Sequence, residues 1–246
     1  MSARISESKQ CWAVSSVTSS EFRLRVAYKK AGRLRFLSHL EVARTLERTA
    51  RRADLPYAVT RGFSPHMKLA FGPALPVGTA GEREYMDIWL TEYQPAVMLC
   101  RRLEAVAVAE LAPKDAGFVG TGEPSLSAAC TIGSYEVVVD GDGTCVEALE
   151  DALTKLVADG KFAVEHKGKK KVFDLARSLP KEPVVGSHDR GAKASILVRM
   201  GPEGSLRPDV LVSDTILRSG IDASVGLVTR TDILIEKKEG VWRRPL

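Results

Sequence analysis

The stretch that decides the fold is FRLRVAYKKAGRLRFLSHLEVARTLERTARRADLP, residues 22–56. It opens with apolar and basic side chains in alternation, a period of two that predicts a half-buried strand over Phe22–Lys30. The alternation resumes after Gly32, which predicts a hairpin or a bulged strand over residues 31–36. From Ser38 onward the period changes, and the predicted element changes with it.

Ser38 and Glu41 have the spacing of a capping box. In that motif the serine hydroxyl accepts the amide of the third helical residue, while the glutamate carboxylate accepts the serine amide. A helix is therefore predicted from His39 to about Ala53, with Pro56 closing the turn after it. The residues expected on its apolar stripe are Leu40, Ala43, Leu46, Ala50 and Ala53.

The same helix carries arginines at relative positions 0, 4, 7 and 8, which gather on one helical face. These arginines are Arg44, Arg48, Arg51 and Arg52. Glu47 is placed to pair with Arg51 and to offset part of this charge.

The remaining chain repeats a similar order of elements. In the first half, strands are predicted over 57–61, 67–72 and 82–92, and a helix over 95–110. In the second half, strands or strand-like segments are predicted over 134–140, 161–166, 172–180, 193–201 and 225–238. Helices are predicted over 144–160, with Thr144 and Glu147 as a second capping box and Gly160 as its stop, and over 206–220. A loop is predicted between 180 and 192.

Each half is thus predicted to run roughly β-α-β-β-α, the order of a split βαβ unit. The predicted class is α+β, with two ferredoxin-like halves and antiparallel sheets. The predicted divisions are a Ser-rich disordered tail (1–20), a basic half (21–111), a linker rich in Gly, Pro and Ser (112–130) and a second half (131–246). Whether the halves form one sheet or two domains stays open at this point.

The positive charge of the chain is concentrated in one region. The net charge is +5, but residues 22–68 hold twelve Lys/Arg and three Asp/Glu, a local charge of +9 that leaves −4 for the rest. Such asymmetry indicates a polyanionic partner, such as nucleic acid, a phosphate ligand or an acidic protein face. A solvated basic surface without a partner is the alternative.

Several kinds of site are not indicated by the sequence. The cysteines, Cys11, Cys100, Cys130 and Cys145, lack the close spacing of zinc or redox sites, so no metal or cofactor is expected. No segment resembles a nucleotide loop, a zinc-protease helix or a serine-hydrolase turn. No apolar run approaches the length of a membrane span, and the cytoplasm is the expected location.

Two histidines are candidate functional groups. His39 lies in the first turn of the arginine-bearing helix, where free amides favour anions, although an exposed residue without a role is the alternative. His66 follows Pro65 in a stiff loop, and Arg61 and Lys68 flank it, a set suited to clamping a phosphate or carboxylate. The alternative for this loop is a structural turn. Either histidine is also a candidate general base for metal-independent RNA cleavage.

The predicted anion-binding residues lie mainly in the basic half. They are Arg33, Arg35, Ser38, His39, Arg44, Arg48, Arg51, Arg61, His66 and Lys68, with Lys169, Lys170 and Lys171 as an outer contact. Aromatic residues in this half could stack bases, but Phe36 and Phe63 are expected in the core.

Four motifs in the first half resemble a known bacterial family, the radical-SAM-linked domain family of unknown function. They are Phe36 with Ser38-His39-Leu40, the run Gly62–Lys68, the run Ala74–Gly78 and the run Glu84–Asp87. Met67 departs from the pattern, because proline is frequent there in the family. SLRPDVLV and VTRTDILIE in the second half fit the closing pattern of the family.

The resemblance implies a partnership more than an activity. Members are fused to, or encoded beside, radical SAM proteins with a B12-binding-type domain, and no reaction is established from which catalytic residues could be carried over. The resulting hypothesis is a cytoplasmic accessory protein that binds RNA or an anionic substrate through its basic half. The alternatives are a metal-independent RNA-processing enzyme with a histidine base, or a protein-interaction module that docks through FGPALPVG, residues 71–78.

Overall fold

A computed structural model describes residues 21–120, 122–166, 169–201 and 204–246. The predicted tail, residues 1–20, lies outside these residues. The described strands are β1 (Phe22–Lys30), β2 (Leu69–Phe71), β3 (Ala80–Leu90), β4 (Pro113–Val119), β5 (Cys130–Gly141), β6 (Lys161–His166), β7 (Lys169–Asp174), β8 (Val184–His188), β9 (Gly191–Arg199), β10 (Ala223–Lys238) and β11 (Val241–Arg243). The described helices are α1 (His39–Arg52), α2 (Ala96–Val106), α3 (Leu126–Ala129), α4 (Cys145–Asp159), α5 (Leu175–Ser178) and α6 (Pro208–Ser219). Short 3-10 helices cover Gly32–Phe36 and Ala109–Leu111.

One continuous sheet crosses both halves of the described chain. Its strand order is β4-β1-β3-β10-β5-β9-β8, with β2 beside β3 and β11 beside β10, while β6 and β7 form a separate hairpin. Neighbouring strands are antiparallel except β3 and β10, which meet in a short parallel pairing at Ala80–Thr229 and Gly81–Arg230. The α+β class is therefore confirmed. Two separate ferredoxin-like halves are not confirmed, because the sheets of the two halves join at this seam.

The two larger hydrophobic clusters of the described residues lie on the sheet, one in each half. The first packs α1 and α2 against β1 and β3, through residues that include Leu24, Leu46, Ile88 and Leu99. The second packs α4 and α6 against β5 and β9, through residues that include Val137, Leu149, Val198 and Val212. Alternate strand residues face these cores, as the period of two requires. No helix in the described part of the chain is long and apolar enough to cross a membrane.

Helix α1 begins where the sequence predicts, because its capping box forms. The Ser38 amide donates to Glu41 Oε2 at 2.8 Å, and the Glu41 amide donates to Ser38 Oγ at 3.4 Å. Its buried face is rotated from the predicted stripe. Val42, Leu46 and Ala50 are buried, whereas Leu40 is 67% exposed, because residues two positions apart, such as Leu40 and Val42, do not share a helical face.

Four segments differ from their predicted structures. Within the predicted hairpin or bulged strand at 31–36, Gly32–Phe36 form a 3-10 helix, because Gly32 has a positive φ of 54° that ends strand β1. The predicted linker, 112–130, contains β4 and α3, since β4 pairs with β1 along its length. The predicted strand at 57–61 forms only isolated bridges, Tyr57–Leu90 and Val59–Met67. The predicted loop at 180–192 contains β8, which pairs with β9 at the sheet edge.

Two more predictions are wrong in the second half, both at helix termini. Thr144 makes no side-chain cap, because Asp142 Oδ1 accepts both the amide and the hydroxyl of Thr144 instead. The segment predicted as a strand over 172–180 ends at Asp174, whose carboxylate accepts the Arg177 amide and opens α5. Gly160 ends α4 as predicted, with a left-handed φ of 72°.

Candidate nucleic-acid interface

The 3-10 helix and α1 together present a run of arginines to solvent, which we call the basic surface: Arg33, Arg35, Arg44, Arg48, Arg51 and Arg52. Two hydrogen bonds to backbone carbonyls hold the 3-10 helix and its C-cap residue in place. Lys30 Nζ donates to the Leu37 carbonyl at 2.8 Å, and the Gly78 amide donates to the Arg35 carbonyl at 2.9 Å. The surface is therefore supported by strand β1 and by the Pro/Gly-rich segment that precedes β3.

Most of the charge on the basic surface is not neutralised within the described residues. Arg51 pairs with Glu47 at 2.7 Å, the i,i+4 contact that the sequence predicts. The hydrogen bonds that Arg51 donates to Glu47 raise the pKa of Arg51 above its ordinary value. The other arginines of the surface make no ion pair with any described residue, and Arg52 donates instead to the Val106 carbonyl at 2.9 Å. These guanidinium groups are thus without a paired carboxylate among the described residues, although the charge of Glu41 acts on Arg44.

Among the described residues of the basic half, two phenylalanine rings are exposed. Phe36 is 57% exposed, with the guanidinium carbon of Arg35 4.6 Å from its ring centre, and Phe63 is fully exposed at the tip of the 61–66 loop. The expectation that both rings belong to the core is wrong, because the 3-10 helix and the loop each project their phenylalanine away from the sheet. Tyr57 lies under Arg51, whose guanidinium donates to the tyrosine hydroxyl at 3.0 Å.

Two residues of the predicted clamp of Arg61, His66 and Lys68 make other contacts, namely His66 and Lys68. Lys68 Nζ forms an ion pair with Glu21 and lies 5.1 Å from the ring centre of Trp89. The Nδ1 atom of His66 is within hydrogen-bond distance of the Thr60 hydroxyl and of the Ser64 carbonyl, at 3.2 and 3.1 Å. Arg61 is exposed in the same loop.

His39 is exposed at the start of α1, with its ring packed edge-on against Phe71 at 5.4 Å. The neighbouring Ser38 hydroxyl is occupied by Glu41 Oε2 at 2.7 Å. Within the described residues, neither His39 nor His66 contacts a carboxylate, and no group of three or more metal-ligating side chains comes together.

The outer lysines lie on the β6–β7 hairpin, well along the chain from the basic surface. The side chains of Lys169 and Lys170 lie outside the described residues. Lys171 is exposed, with Nζ 4.8 Å from the ring centre of Phe173.

An ion pair that the sequence did not predict is buried at the seam between the halves. Arg230 on β10 is 1% exposed, and Glu84 on β3 is also buried. Arg230 Nε donates to Glu84 Oε1 at 2.8 Å, and Nη2 donates to Glu84 Oε2 and to the Pro73 carbonyl, the latter at 2.7 Å. Burial alone would lower the pKa of Arg230, but the charge and hydrogen bonds of Glu84 outweigh it and raise that pKa.

A second buried cluster centres on Asp87, three residues further along β3. Asp87 accepts Arg23 Nε and Arg25 Nε, each at 2.8 Å, from the adjacent strand β1. The same two guanidinium groups also donate to backbone carbonyls. Arg23 donates to Glu123 and Pro124, and Arg25 donates to Pro245. The acidic residues of the Glu84–Asp87 motif therefore hold the fold together. The sequence carries a signal for this cluster. Arg23 and Arg25 recur every second residue on one predicted strand, and Asp87 lies on another predicted strand, so pairing of the two strands can bring the charges together.

Burial suppresses the ionisation of other groups near the seam. It lowers the pKa of the Lys30 ammonium and raises the pKa of Tyr28. It also raises the pKa values of Tyr85 and of the Cys130 thiol to about 12. At neutral pH the tyrosine and cysteine side chains are therefore neutral.

Comparison with known proteins places the chain in a family. A family model described as an uncharacterized protein conserved in bacteria (DUF2344) matches residues 23–208. No curated protein matches the sequence.

Solved structures give matches at low identity. One is a Cbf5–Nop10–Gar1 complex, at 11% identity and a TM-score of 0.47, covering 88% of this chain and 50% of that chain. An archaeal box H/ACA sRNP Nop10–Cbf5 complex matches at 12% identity and a TM-score of 0.42, covering 85% of this chain and 47% of that chain. An H/ACA RNP bound to a substrate RNA matches at 11% identity and a TM-score of 0.41, covering 86% of this chain and 47% of that chain. The chain spans about half the length of these matched chains.

The substitution Glu84→Gln is expected to destabilise the fold strongly, because it leaves Arg230 buried without a counter-charge. Breaking a buried pair in this way costs about 3–5 kcal/mol, measured as the free energy of unfolding in urea. The matched control on the same strand is Glu82→Gln, which removes an exposed pair with Lys114 and costs about 0–1 kcal/mol. Equal losses in the two variants would contradict the role given to Glu84.

Proposed function

The chain belongs to this bacterial family, and from that premise we propose that it is an accessory protein that binds single-stranded RNA through its basic surface. The observation that carries the proposal is the combination of arginines without ion-pair partners and exposed phenylalanines on the same half of the molecule. The protein partner supported by the resemblance of the sequence motifs is a radical SAM protein with a B12-binding-type domain.

The charge on the basic surface supports a phosphate backbone as the ligand. Arg44 and Arg48 lie one turn apart on α1, are exposed, and make no ion pair with a described residue. Side chains in this arrangement contact successive phosphates and release condensed counterions when they do. A single small anion would leave most of these arginines without a contact.

The exposed rings support nucleic acid over a purely ionic ligand. Single-stranded RNA presents unstacked bases, which stack on aromatic side chains and on arginine planes. Phe36 under Arg35, and Phe63 at its loop tip, offer such surfaces without any change in the core.

The two alternative functions have weaker support in the geometry. An RNA-cleaving enzyme would rely on His39 or His66, and neither ring is oriented by a carboxylate among the described residues. A docking module would use FGPALPVG, in which Leu75 is buried and Val77 is exposed, so only part of the segment is free to dock.

Replacing both central arginines, as Arg44→Gln/Arg48→Gln, is expected to weaken binding to a labelled oligouridine and to flatten its salt dependence. Loss of two phosphate contacts makes the slope of log Kobs against log salt shallower by about 1.4. Fluorescence anisotropy across a salt series measures this slope. The matched control, Lys155→Gln/Arg177→Gln, removes two exposed charges from the second half and leaves the slope unchanged.

Two outcomes of that titration would count against the proposal. Absence of oligouridine binding at low salt would contradict RNA as the ligand. An equal change of slope in both double variants would show that binding depends on the overall charge of the protein and not on the basic surface. Gel analysis of the same mixtures detects RNA cleavage. Cleavage by the unmodified protein that is lost in His39→Ala or His66→Ala would instead favour the RNA-cleaving enzyme.

The substitution Phe63→Ala is expected to weaken oligouridine binding by about 1–3 kcal/mol, the range found for base–aromatic stacking. Because the ring is fully exposed, the free energy of unfolding should not change. The control is Leu217→Ala, which removes an exposed apolar side chain from α6. Unchanged affinity in Phe63→Ala would show that the loop tip does not contact the bases.

The partnership is checked by purifying a tagged chain from its native bacterial cells, with and without ribonuclease treatment. A radical SAM protein identified by mass spectrometry in both eluates supports direct contact. Its loss after ribonuclease indicates that RNA bridges the two proteins. Its absence from both eluates contradicts the partnership while leaving RNA binding to be judged by the titration.

A further inference from the structure

A cleft of about 650 Å³ lies beside the seam, with walls from both halves of the chain. One wall is the Pro/Gly-rich segment before β3, which contributes Pro73, Ala74 and Pro76. The opposite side comes from the start of α6 and from the chain before it, including Leu206 and Pro208. Pockets for small organic ligands commonly have volumes of about 300–1,000 Å³. The basic surface plays no part in its lining.

Arg230 contributes a buried donor to this cleft. Its Nε and Nη2 atoms are held by Glu84 and by the Pro73 carbonyl. Its Nη1 atom has only two long contacts among the described residues, 3.5 Å to the Tyr135 hydroxyl and 3.8 Å to Met200 Sδ. Typical N–H···O distances are about 2.7–3.2 Å, so this N–H group has capacity for a closer acceptor.

Two hydroxyl groups add to the polar character of the same lining. Tyr135 is buried and presents its hydroxyl beside Arg230. Thr131 also lines the cleft, and its buried Oγ1 atom has no hydrogen-bond partner within the described chain. Buried polar atoms are normally paired, and an unpaired one needs an explanation, such as a bound molecule.

The charges around the cleft balance one another. Glu84 neutralises Arg230, and Arg207 at the start of α6 pairs with Asp209 at 2.5 Å. A fully ionised group brought beside Arg230 would therefore add a buried charge with no counter-charge of its own, which is costly. A neutral oxygen acceptor would satisfy the free N–H group without that cost.

We propose that this cleft binds a small neutral molecule with an apolar body and a carbonyl-type oxygen, such as an amide. The oxygen accepts Arg230 Nη1 and the Tyr135 hydroxyl, while the apolar body lies against the proline-rich wall and Val228. This site is separate from the basic surface and would exist whether or not the protein binds RNA. A larger hollow, of about 840 Å³ between β6 and α6, lacks a buried donor of this kind in its described lining.

The matched probes are hexanamide and hexanoate, which share one apolar chain and differ in the charge of the polar end. Isothermal titration or ligand-observed NMR with the full chain is expected to give a Kd for hexanamide of about 20 mM or tighter. Hexanoate is expected to bind at least about tenfold more weakly. Failure of hexanamide to bind would overturn the proposal, and so would equal or tighter binding of hexanoate.

A substitution that fills the cleft locates the binding site. Ala128→Phe adds a ring at an exposed position of α3 that lines the cleft, and is expected to weaken hexanamide binding at least about tenfold. The control, Ala105→Phe, places the same ring on the exposed face of α2 and leaves binding unchanged.

If Ala128→Phe does not fold, as judged by circular dichroism, Ala74→Phe fills the cleft from the facing wall. Hexanamide binding that is unaffected in a folded cleft-filling variant places the ligand elsewhere and overturns the assignment.

Discussion

The Glu84–Arg230 ion pair is the interaction on which the rest of the structure depends. It crosses the seam where β3 and β10 meet, and the backbone pairing there covers only two residue pairs. Gly81 makes room for it, since a Cβ at that position would lie 2.7 Å from the Glu84 side chain. The third hydrogen bond of Arg230, to Pro73, fixes the segment that forms one wall of the cleft and supports the basic surface through Gly78.

Features set by neighbouring residues were predictable from the sequence, and features set by distant contacts were not. Helix α1 was predicted almost to its ends because Ser38 and Glu41 are three residues apart and bond each other. The α+β class followed from the order of local periods. The seam was not predictable, because Glu84 and Arg230 are separated by 146 residues and each side chain alone resembles a surface charge.

The candidate site was predicted in part. The exposed arginines of α1 follow from helical periodicity, but the exposure of Phe36 does not, because it depends on the end of β1 at Gly32. The residues of the motifs that resemble a family also lie in two different environments. Glu84 and Asp87 stabilise the sheet from within, whereas the loop around His66 lies at the surface. A motif therefore identifies relatives without identifying which of its residues contact a ligand.

The long separation across the seam has a consequence for biosynthesis. A ribosome adds about 5–20 residues each second, so Arg230 is added roughly 7–30 s after Glu84 has been synthesised. During that interval Glu84 has no counter-charge, and the edge of β3 that later receives β10 is open. An unpaired strand edge is a surface on which nascent chains aggregate. The seam, which lies within the sheet and not at its edge, therefore forms only after most of the described chain has been synthesised.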